Sequence, residues 1–373
     1  MAVDGWSQLT FRLRKIPGHL TTTAEVTSLL SAFTGLPKSQ IVAFSVATAC
    51  DALRDPPTKV ATVRFLASPD SIKRKTPVRE GEWRLTRSSG AGELLLDSHF
   101  EGLTPLNDVA TSEHMIDCIA VSGLASHPFG SWQSRTKNYM WLRDGIPNAI
   151  PGVRTILYGF DSALVASRSF QSISDIAQRF LLHLKLAGWH LPASKPTVFL
   201  GHSLGGLVLK DAMVQSAGSR DAAVAALFQR LRGALMFGVP NLGMDNSHWG
   251  PLVEGRPNEI LVQNLSRANG TSFLRQLDGK FQELAVVKKA AIYWAYETLE
   301  SPTVKQLPDG TWSRSGPPVL LVNPASATCN WSRKDKSRTI PIDGDHSTMV
   351  KFSLGDPDLG IVMMVLSKIC SSV

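Results

Sequence analysis

Apolar and polar residues alternate over short stretches in the N-terminal part of the chain. Alternation with a period of two predicts β-strands, and helical spacing at residues 23–33 predicts a helix after the first of them. The predicted strands cover residues 10–16, 40–48, 59–66, 81–86 and 93–97. This strand-helix-strand-strand order favours a small α+β unit of ferredoxin or RNA-recognition-motif type, which we assign to residues 1–112.

Longer apolar runs replace the alternation in residues 113–373. Such runs are typical of parallel strands that are buried on both faces. They predict strands at 116–121, 154–158, 197–200, 233–237, 290–296 and 319–322. Helical spacing at 173–186 and 350–369 predicts helices between and after these strands. We therefore expect a second, α/β domain with a doubly wound, mostly parallel sheet.

Residues 241–289 are predicted to form helices above this sheet, because apolar side chains recur there at helical spacing. These side chains are Ile260, Leu261, Leu265, Phe273, Leu274, Leu277 and Phe281. The pattern favours a helix layer and leaves a lid open as the alternative.

Composition is that of a folded globular protein, with 43% hydrophobic and 19% charged residues in 373. The formal charge is +8, but Lys and Arg are spread along the chain, with the densest clusters at 73–75 and 333–338. We interpret both clusters as solvated loops rather than as a membrane or nucleic-acid patch.

The N-terminal unit raises the question of RNA binding, since sheets of this type stack bases on aromatic side chains of two central strands. The corresponding positions are expected to hold Arg12, Arg14, Ala61 and Val63. These residues supply no stacking platform, so RNA binding is disfavoured and a structural or partner-docking role is favoured.

The four cysteines lie far apart and lack metal-ligand spacing; they are Cys50, Cys118, Cys329 and Cys370. We expect free thiols in a reducing compartment, with no metal and no cofactor. The sequence has no secretory signal pattern and no apolar run near the roughly 20 residues that span a bilayer. A soluble, intracellular and cytoplasmic protein is expected, with peripheral membrane contact and oligomeric state left open.

The most informative segment is residues 197–206, TVFLGHSLGG. A β-prone run leads into Gly201-His202-Ser203-Leu204-Gly205, and a helix-compatible run follows. A G-x-S-x-G sequence between a strand and a helix predicts a nucleophile elbow, with the Ser203 hydroxyl above the sheet. The Leu204 amide then lies at a helix start, where the dipole favours negative charge. His202 is expected to pack beneath the elbow.

A serine nucleophile needs a base and an orienting carboxylate, and both follow the serine in this type of sheet. Of nine histidines, only His248 and His346 follow Ser203. A single predicted strand separates His248 from Ser203, which leaves no room for an acid-bearing strand. His346 lies in a polar loop between the last predicted strand and the last helix, and is the predicted base.

Glu297 is the predicted acid, because it ends the strand run at 290–296, at the sheet edge where ligand-facing groups collect. Asp343 and Asp345 are the alternatives close to the histidine, but an orienting carboxylate usually comes from another strand. The second oxyanion donor is expected in the loop after residue 121, where Gly123 permits close approach and the Leu124 amide would act beside that of Leu204.

Five further sequence blocks lie on either side of the elbow. In chain order they are VSGLASHP at 121–128, WLRD at 141–144, YGFDS at 158–162, FGVP at 237–240 and DHSTMVKF at 345–352. With the elbow, they resemble the SERAC-type (serine active site containing) lipase-like α/β hydrolases, especially fungal proteins joined to a nucleotide-binding NACHT module. The resemblance implies an α/β-hydrolase fold with Ser203 as nucleophile and His346 as base, and it is compatible with Glu297 as acid.

Two blocks depart from that family. Ser122-Gly-Leu-Ala125 stands where His-Gly-Leu-Gly is common, and Val239-Pro-Asn241 stands where Thr-Pro-His is usual. The sequence also lacks a G-x-x-x-x-G-K-[ST] phosphate loop, so the nucleotide-switch module of larger relatives is not expected.

These observations favour a serine hydrolase that cleaves carboxylic esters of a lipid or other acyl substrate through an acyl-enzyme. One alternative is a catalytically silent signalling or binding module with the same fold, and another is an acyltransferase or thioesterase with the same residues. The resemblance alone points to mitochondrial or endoplasmic-reticulum membranes.

Overall fold

A computed structural model describes residues 9–67, 69–73, 77–78, 80–86, 92–164, 167–267, 271–308, 311–329 and 335–371. Parts of the two basic clusters, residues 74–75 and 333–334, lie outside the described residues. Within the described ranges, no helix has the length and apolarity that crossing a membrane requires.

The first five strands form an antiparallel sheet; they are β1 (Phe11–Ile16), β2 (Ile41–Thr48), β3 (Lys59–Phe65), β4 (Glu82–Thr86) and β5 (Glu93–Asp97). Their order is β2-β3-β1-β5-β4. Helix α1 (Thr23–Thr34) packs on one face, and it begins at a capping box between Thr22 and Glu25. The predicted ferredoxin or RNA-recognition-motif arrangement is confirmed, with β4 as an added edge strand.

The opposite face of this sheet lies against the rest of the chain. The Arg12 guanidinium is 2% exposed and donates to Asp97 Oδ2 and Thr104 Oγ1, both at 2.9 Å. The guanidinium of Arg143 lies 4.8 Å from the ring centroid of Phe44. The face that a base-stacking platform would need is therefore covered by protein.

The expectation that Ala61 and Val63 share a face with Arg12 is wrong. Ala61 pairs in register with Leu13, and Val63 pairs with Phe11. Directly opposite residues of paired strands point to the same face. Ala61 and Val63 consequently lie in the apolar core beneath α1, and Arg12 points away from it.

Seven strands form the central sheet; they are β6 (Gly102–Pro105), β7 (Ile116–Val121), β8 (Val153–Gly159), β9 (Thr197–His202), β10 (Leu231–Phe237), β11 (Ala291–Glu297) and β16 (Thr339–Ile342). Four two-residue strands lie between the last two; they are β12 (Ser301–Pro302), β13 (Lys305–Gln306), β14 (Trp312–Ser313) and β15 (Pro318–Val319).

The central sheet has the order β16-β11-β10-β9-β7-β8-β6. Strand β6 is antiparallel to β8, and the other neighbours are parallel. A mostly parallel sheet of this order, with the serine turn directly after β9, is an α/β-hydrolase fold. The predicted fold class is confirmed.

The short helix α2 (Asp70–Lys73) belongs to the N-terminal unit. Helices that follow it cover both faces of the central sheet; they are α3 (Ile146–Ala149), α4 (Ile173–Leu186), α5 (Leu204–Ala217), α6 (Ala222–Ala226), α7 (Gly250–Val253), α8 (Glu259–Leu265), α9 (Thr271–Glu283), α10 (Ala285–Lys289), α11 (Pro324–Ala327) and α12 (Pro357–Ser371). One apolar core lies under α4, α5 and α9, and the other under α12 and Trp141. This two-sided burial explains the long apolar runs in the strand sequences.

The position of strand β6 concerns the domain boundary predicted between residues 112 and 113. That boundary stays a prediction. Pairing of β6 with β8 means that the chain joins the central sheet between Asp97 and Gly102, before the predicted boundary. β6 spans only four residues, too few to show a clear alternation.

The last strand of the central sheet is not the predicted 319–322 but β16, beside β11. Leu321 and Val322 are buried without belonging to that sheet, so their apolar character records burial rather than strand pairing. The last helix begins at Pro357 rather than at 350. Proline suits a first helical turn and disfavours helix in the residue before it.

The segment at 241–289 forms helices, as predicted. Leu261, Leu265, Leu274, Leu277 and Phe281 are buried in the core, as a helix layer requires. Ile260 is 65% exposed, so its predicted core contact is wrong.

Candidate active site

Ser203 lies in the turn between β9 and α5 with φ 52° and ψ −126°. This region is strained for a residue with a side chain, and such strain concentrates at functional sites. Gly205 makes the turn possible, because a Cβ there would lie 2.3 Å from the Val121 carbonyl oxygen and 2.5 Å from that of Ser122. The elbow sequence therefore folds as a tight strand-to-helix turn against the end of β7.

A continuous hydrogen-bond chain links three buried side chains. The Ser203 hydroxyl donates to Nε2 of His346 at 2.9 Å, and Nδ1 of His346 donates to Oε2 of Glu297 at 2.6 Å. Ser203 is 5% exposed, His346 7% and Glu297 1%. This geometry suits proton transfer from the serine to a histidine whose tautomer the carboxylate fixes. The structure thus brings together all three side chains that the sequence analysis selected.

The register of the last two strands sets this geometry. Glu297 ends β11 and pairs with Ile342, which ends β16, so the loop carrying His346 begins beside the carboxylate. The other carboxylate oxygen of Glu297 accepts from the Val322 amide at 3.0 Å, and the His346 amide donates to Ser301 Oγ at 3.1 Å. Val322 and Ser301 thus fix the positions of Glu297 and His346, although neither belongs to the hydrogen-bond chain from Ser203 to Glu297.

The two alternative acids have other environments. Asp345 accepts from the amides and hydroxyls of Ser347 and Thr348, all at 2.9 Å, within its own turn. Those bonds lower the pKa of Asp345, although its partial burial alone would raise it. Asp343 is exposed. Glu297 is the carboxylate bonded to His346.

His202 packs beside this chain, with its ring centroid 5.1 Å from that of His346. Burial lowers the pKa of His202 to about 3, and the neighbouring His346 adds to this shift. The imidazole of His202 is therefore neutral near neutral pH.

The loop after β7 lies against the serine. A Cβ on Gly123 would be 2.8 Å from Cβ of Ser203, so only glycine permits this approach. Leu124 lines the cavity above Ser203, and Leu204 is the first residue of α5. The next amide, that of Ala125, is already bonded to the Ser162 carbonyl at 2.7 Å. The two predicted oxyanion donors therefore lie on the two segments that flank the serine.

A cavity of about 580 Å³ opens above Ser203 and His346. Its apolar wall includes Trp249 and Leu252, from the segment 241–289 that was predicted to form helices above the site, and Leu164 and Leu321, which the sequence did not connect with the site. Helical spacing predicted buried side chains in α8 and α9, but it carried no signal of which side chains face the serine. His248 does not line this cavity.

Sequence comparisons find no matching protein-family model and no matching curated protein. Solved structures with similar folds include a mature Bacillus licheniformis lipase, at 13% identity over 71% of this chain and 97% of that one, with a TM-score of 0.44. The NocB thioesterase domain of the nocardicin cluster matches at 13% identity over 72% and 100%, with a TM-score of 0.36. Phospholipase PlaB from Legionella pneumophila, in complex with thio-NAD, matches at 15% identity over 49% and 38%, with a TM-score of 0.36. All three TM-scores lie below 0.5.

Proposed function

We propose that this protein is a serine hydrolase that cleaves carboxylic esters, with Ser203 as nucleophile, His346 as general base and Glu297 as the orienting acid. The single observation that supports this proposal is the hydrogen-bond chain from the Ser203 hydroxyl through both ring nitrogens of His346 to Glu297. The SERAC-type relationship is part of the same proposal and rests on the ordered sequence blocks.

In the first half-reaction, Ser203 Oγ attacks the ester carbonyl carbon while His346 Nε2 takes the hydroxyl proton. The oxygen of the tetrahedral intermediate accepts from the amides of Leu204 and Leu124. The carbon–oxygen bond to the alcohol then breaks, and His346 returns the proton to the leaving oxygen. Glu297 stabilises the imidazolium throughout.

In the second half-reaction, water attacks the acyl-serine and gives its proton to His346. The bond to Ser203 Oγ breaks, the carboxylic acid leaves, and the serine regains its proton. A thioester follows the same steps with sulfur as the leaving atom, and an alcohol in place of water yields acyl transfer. The cavity above the serine is large enough for an extended acyl chain, which favours longer acyl groups over very small ones such as acetyl.

The test is labelling with a fluorophosphonate probe together with hydrolysis of short p-nitrophenyl esters. We expect wild type and Ser28→Ala, a control serine on α1, to be labelled and active. Ser203→Ala is expected to be neither, and loss of Ser203 or His346 should each lower kcat about a millionfold without adding together. A folded wild type that is neither labelled nor active would overturn the proposal in favour of a silent binding module.

A further inference from the structure

The cavity above Ser203 carries two cationic side chains, Lys351 and Arg314. Lys351 lies in the segment after His346 and is partly buried, and Arg314 follows the short strand β14 and is exposed. Both line the same cavity as Ser203 and His346. Cations in a mainly apolar cleft raise the local concentration of anionic ligands.

Over the described part of the chain, neither Lys351 nor Arg314 has an ion pair within 4.0 Å. Asp345 belongs to the same loop, but Ser347 and Thr348 bind one of its oxygens and Arg135 lies 3.8 Å from the other.

The pKa of Lys351 responds to the charges around it. Partial burial lowers the pKa of Lys351, the positive charges of Arg314 and Arg135 lower it further, and the negative charge of Asp345 offsets part of this shift. Bringing cations together and partly out of water costs free energy unless an anion compensates. Among the described residues no carboxylate pairs directly with Lys351 or Arg314, so both cations are available to bind a negative group of a ligand.

The position of Lys351 and Arg314 in the cavity indicates which part of a substrate they would contact. In serine hydrolysis the histidine protonates the leaving group, so the leaving group lies on the histidine side of the serine. Lys351 belongs to the His346 segment and lines the cavity together with His202 and His346, and its positive charge is a minor cause of the lowered pKa of His202. The apolar wall of Leu164, Trp249 and Leu252 remains for the acyl chain.

We propose that the substrate is an acyl ester or thioester whose leaving group carries a phosphate, and that Lys351 and Arg314 bind this phosphate. The inference rests on the proposed serine-hydrolase function and specifies its substrate class. A phosphate of this kind can belong to a phosphopantetheine-type thiol or to a glycerophosphate lipid, which share the same recognised group.

The test uses two matched substrate pairs that differ by one phosphate each. They are S-hexanoyl-4′-phosphopantetheine with S-hexanoylpantetheine, and hexanoylglycerol phosphate with hexanoylglycerol. We expect wild-type kcat/KM to favour the phosphorylated member of at least one pair by about 10- to 100-fold, as charge-assisted hydrogen bonds would give. The pair with the larger ratio identifies the source of the phosphate.

Lys351→Met and Arg314→Met are each expected to reduce that ratio several-fold, and the double variant should bring it near one. Lys280→Met removes an exposed cation from α9, outside the cavity, and should leave the ratio unchanged. Added salt should raise the wild-type KM for the phosphorylated substrate more than for its neutral partner, which tests the same contact without a substitution.

A wild type that hydrolyses both members of each pair equally would overturn the phosphate site and leave the hydrolase proposal standing. A ratio that survives the double substitution would also overturn the assignment to these residues. If no substrate is hydrolysed and no probe labels Ser203, it is the proposed function that fails.

Discussion

His202 and His346 are joined through a backbone atom: Nε2 of His202 donates a hydrogen bond to the His346 carbonyl oxygen at 2.8 Å. His202 also packs edge-on against the Trp132 ring, 6.5 Å between centroids. The residue before the elbow serine thereby fixes the backbone of His346, the proposed general base. We assign His202 a positioning role, since it reaches the reacting atoms only through His346.

His202→Phe should lower kcat about fivefold and change KM little, because the lost bond is worth about 1 kcal/mol and orients the proposed base rather than the substrate. His202→Gln keeps an N–H donor and should recover much of the rate. Steady-state kinetics on a p-nitrophenyl ester measure both. Equal impairment of the two variants, or an effect confined to KM, would contradict the positioning role.

The same histidine should make stability depend on pH. His202 has a folded pKa of about 3, against 6.5 in an ordinary environment. The unfolded chain therefore binds a proton at His202 that the folded chain excludes. The contribution of His202 to the free energy of unfolding is complete above pH 6.5 and is lost as the pH falls towards 3. Its contribution is about 1.4 kcal/mol per pH unit in that window.

Urea unfolding of wild type and His202→Phe at about pH 7, 6 and 5 isolates this contribution, because both proteins share every other titrating group. Wild-type stability is expected to fall more steeply with acidification than that of the variant. Parallel lines for the two proteins would show that His202 can take a proton in the folded state.

Glu297→Gln should lower kcat about 10³- to 10⁴-fold with little loss of stability. The glutamine can still accept from the Val322 amide, but its NH₂ group would face Nδ1 of His346 and favour the wrong tautomer. Asp343→Asn is the matched control, because Asp343 is exposed. An equal loss in the control, or an active Glu297→Gln enzyme, would reject Glu297 as the acid.

Gly205→Ala should destabilise the protein by about 3 kcal/mol, since the added Cβ meets fixed backbone oxygens of Val121 and Ser122. Gly279→Ala is the control: this helical glycine in α9 has no atom within 4 Å of an added Cβ. That change should stabilise the protein by about 0.5 to 1 kcal/mol. Denaturant midpoints compare the two, and similar values would refute the steric account of the elbow.

Ser203, His346 and Glu297 could be selected from sequence because each depends on a local signal. The serine has its flanking glycines, and the other two follow strand ends in a fixed chain order. Contacts made by Val322 and Ser301 could not be selected, since they join segments 25 and 45 residues apart in sequence through side chain and backbone. No periodic pattern records such contacts.

The fold was predictable where strands are long and buried on both faces, as at β7, β9 and β10. It was not predictable at β16, which has four residues, includes Pro341, and follows a basic segment. The more apolar run nearby, around Leu321, drew the assignment instead. Apolar character reports burial, and a short edge strand is distinguished only by the neighbour with which it pairs.

The hydrogen bond between Arg12 and Thr104 affects where the chain can be cut into fragments. Its bond to Thr104 joins the N-terminal sheet to β6, the strand that covers the outer edge of β8. A fragment starting at residue 113 would lose β6 and present the bare margin of β8 to other molecules, a template for intermolecular strand pairing. Strand β6 therefore shields the edge of β8, and Arg12 anchors that strand to the N-terminal sheet.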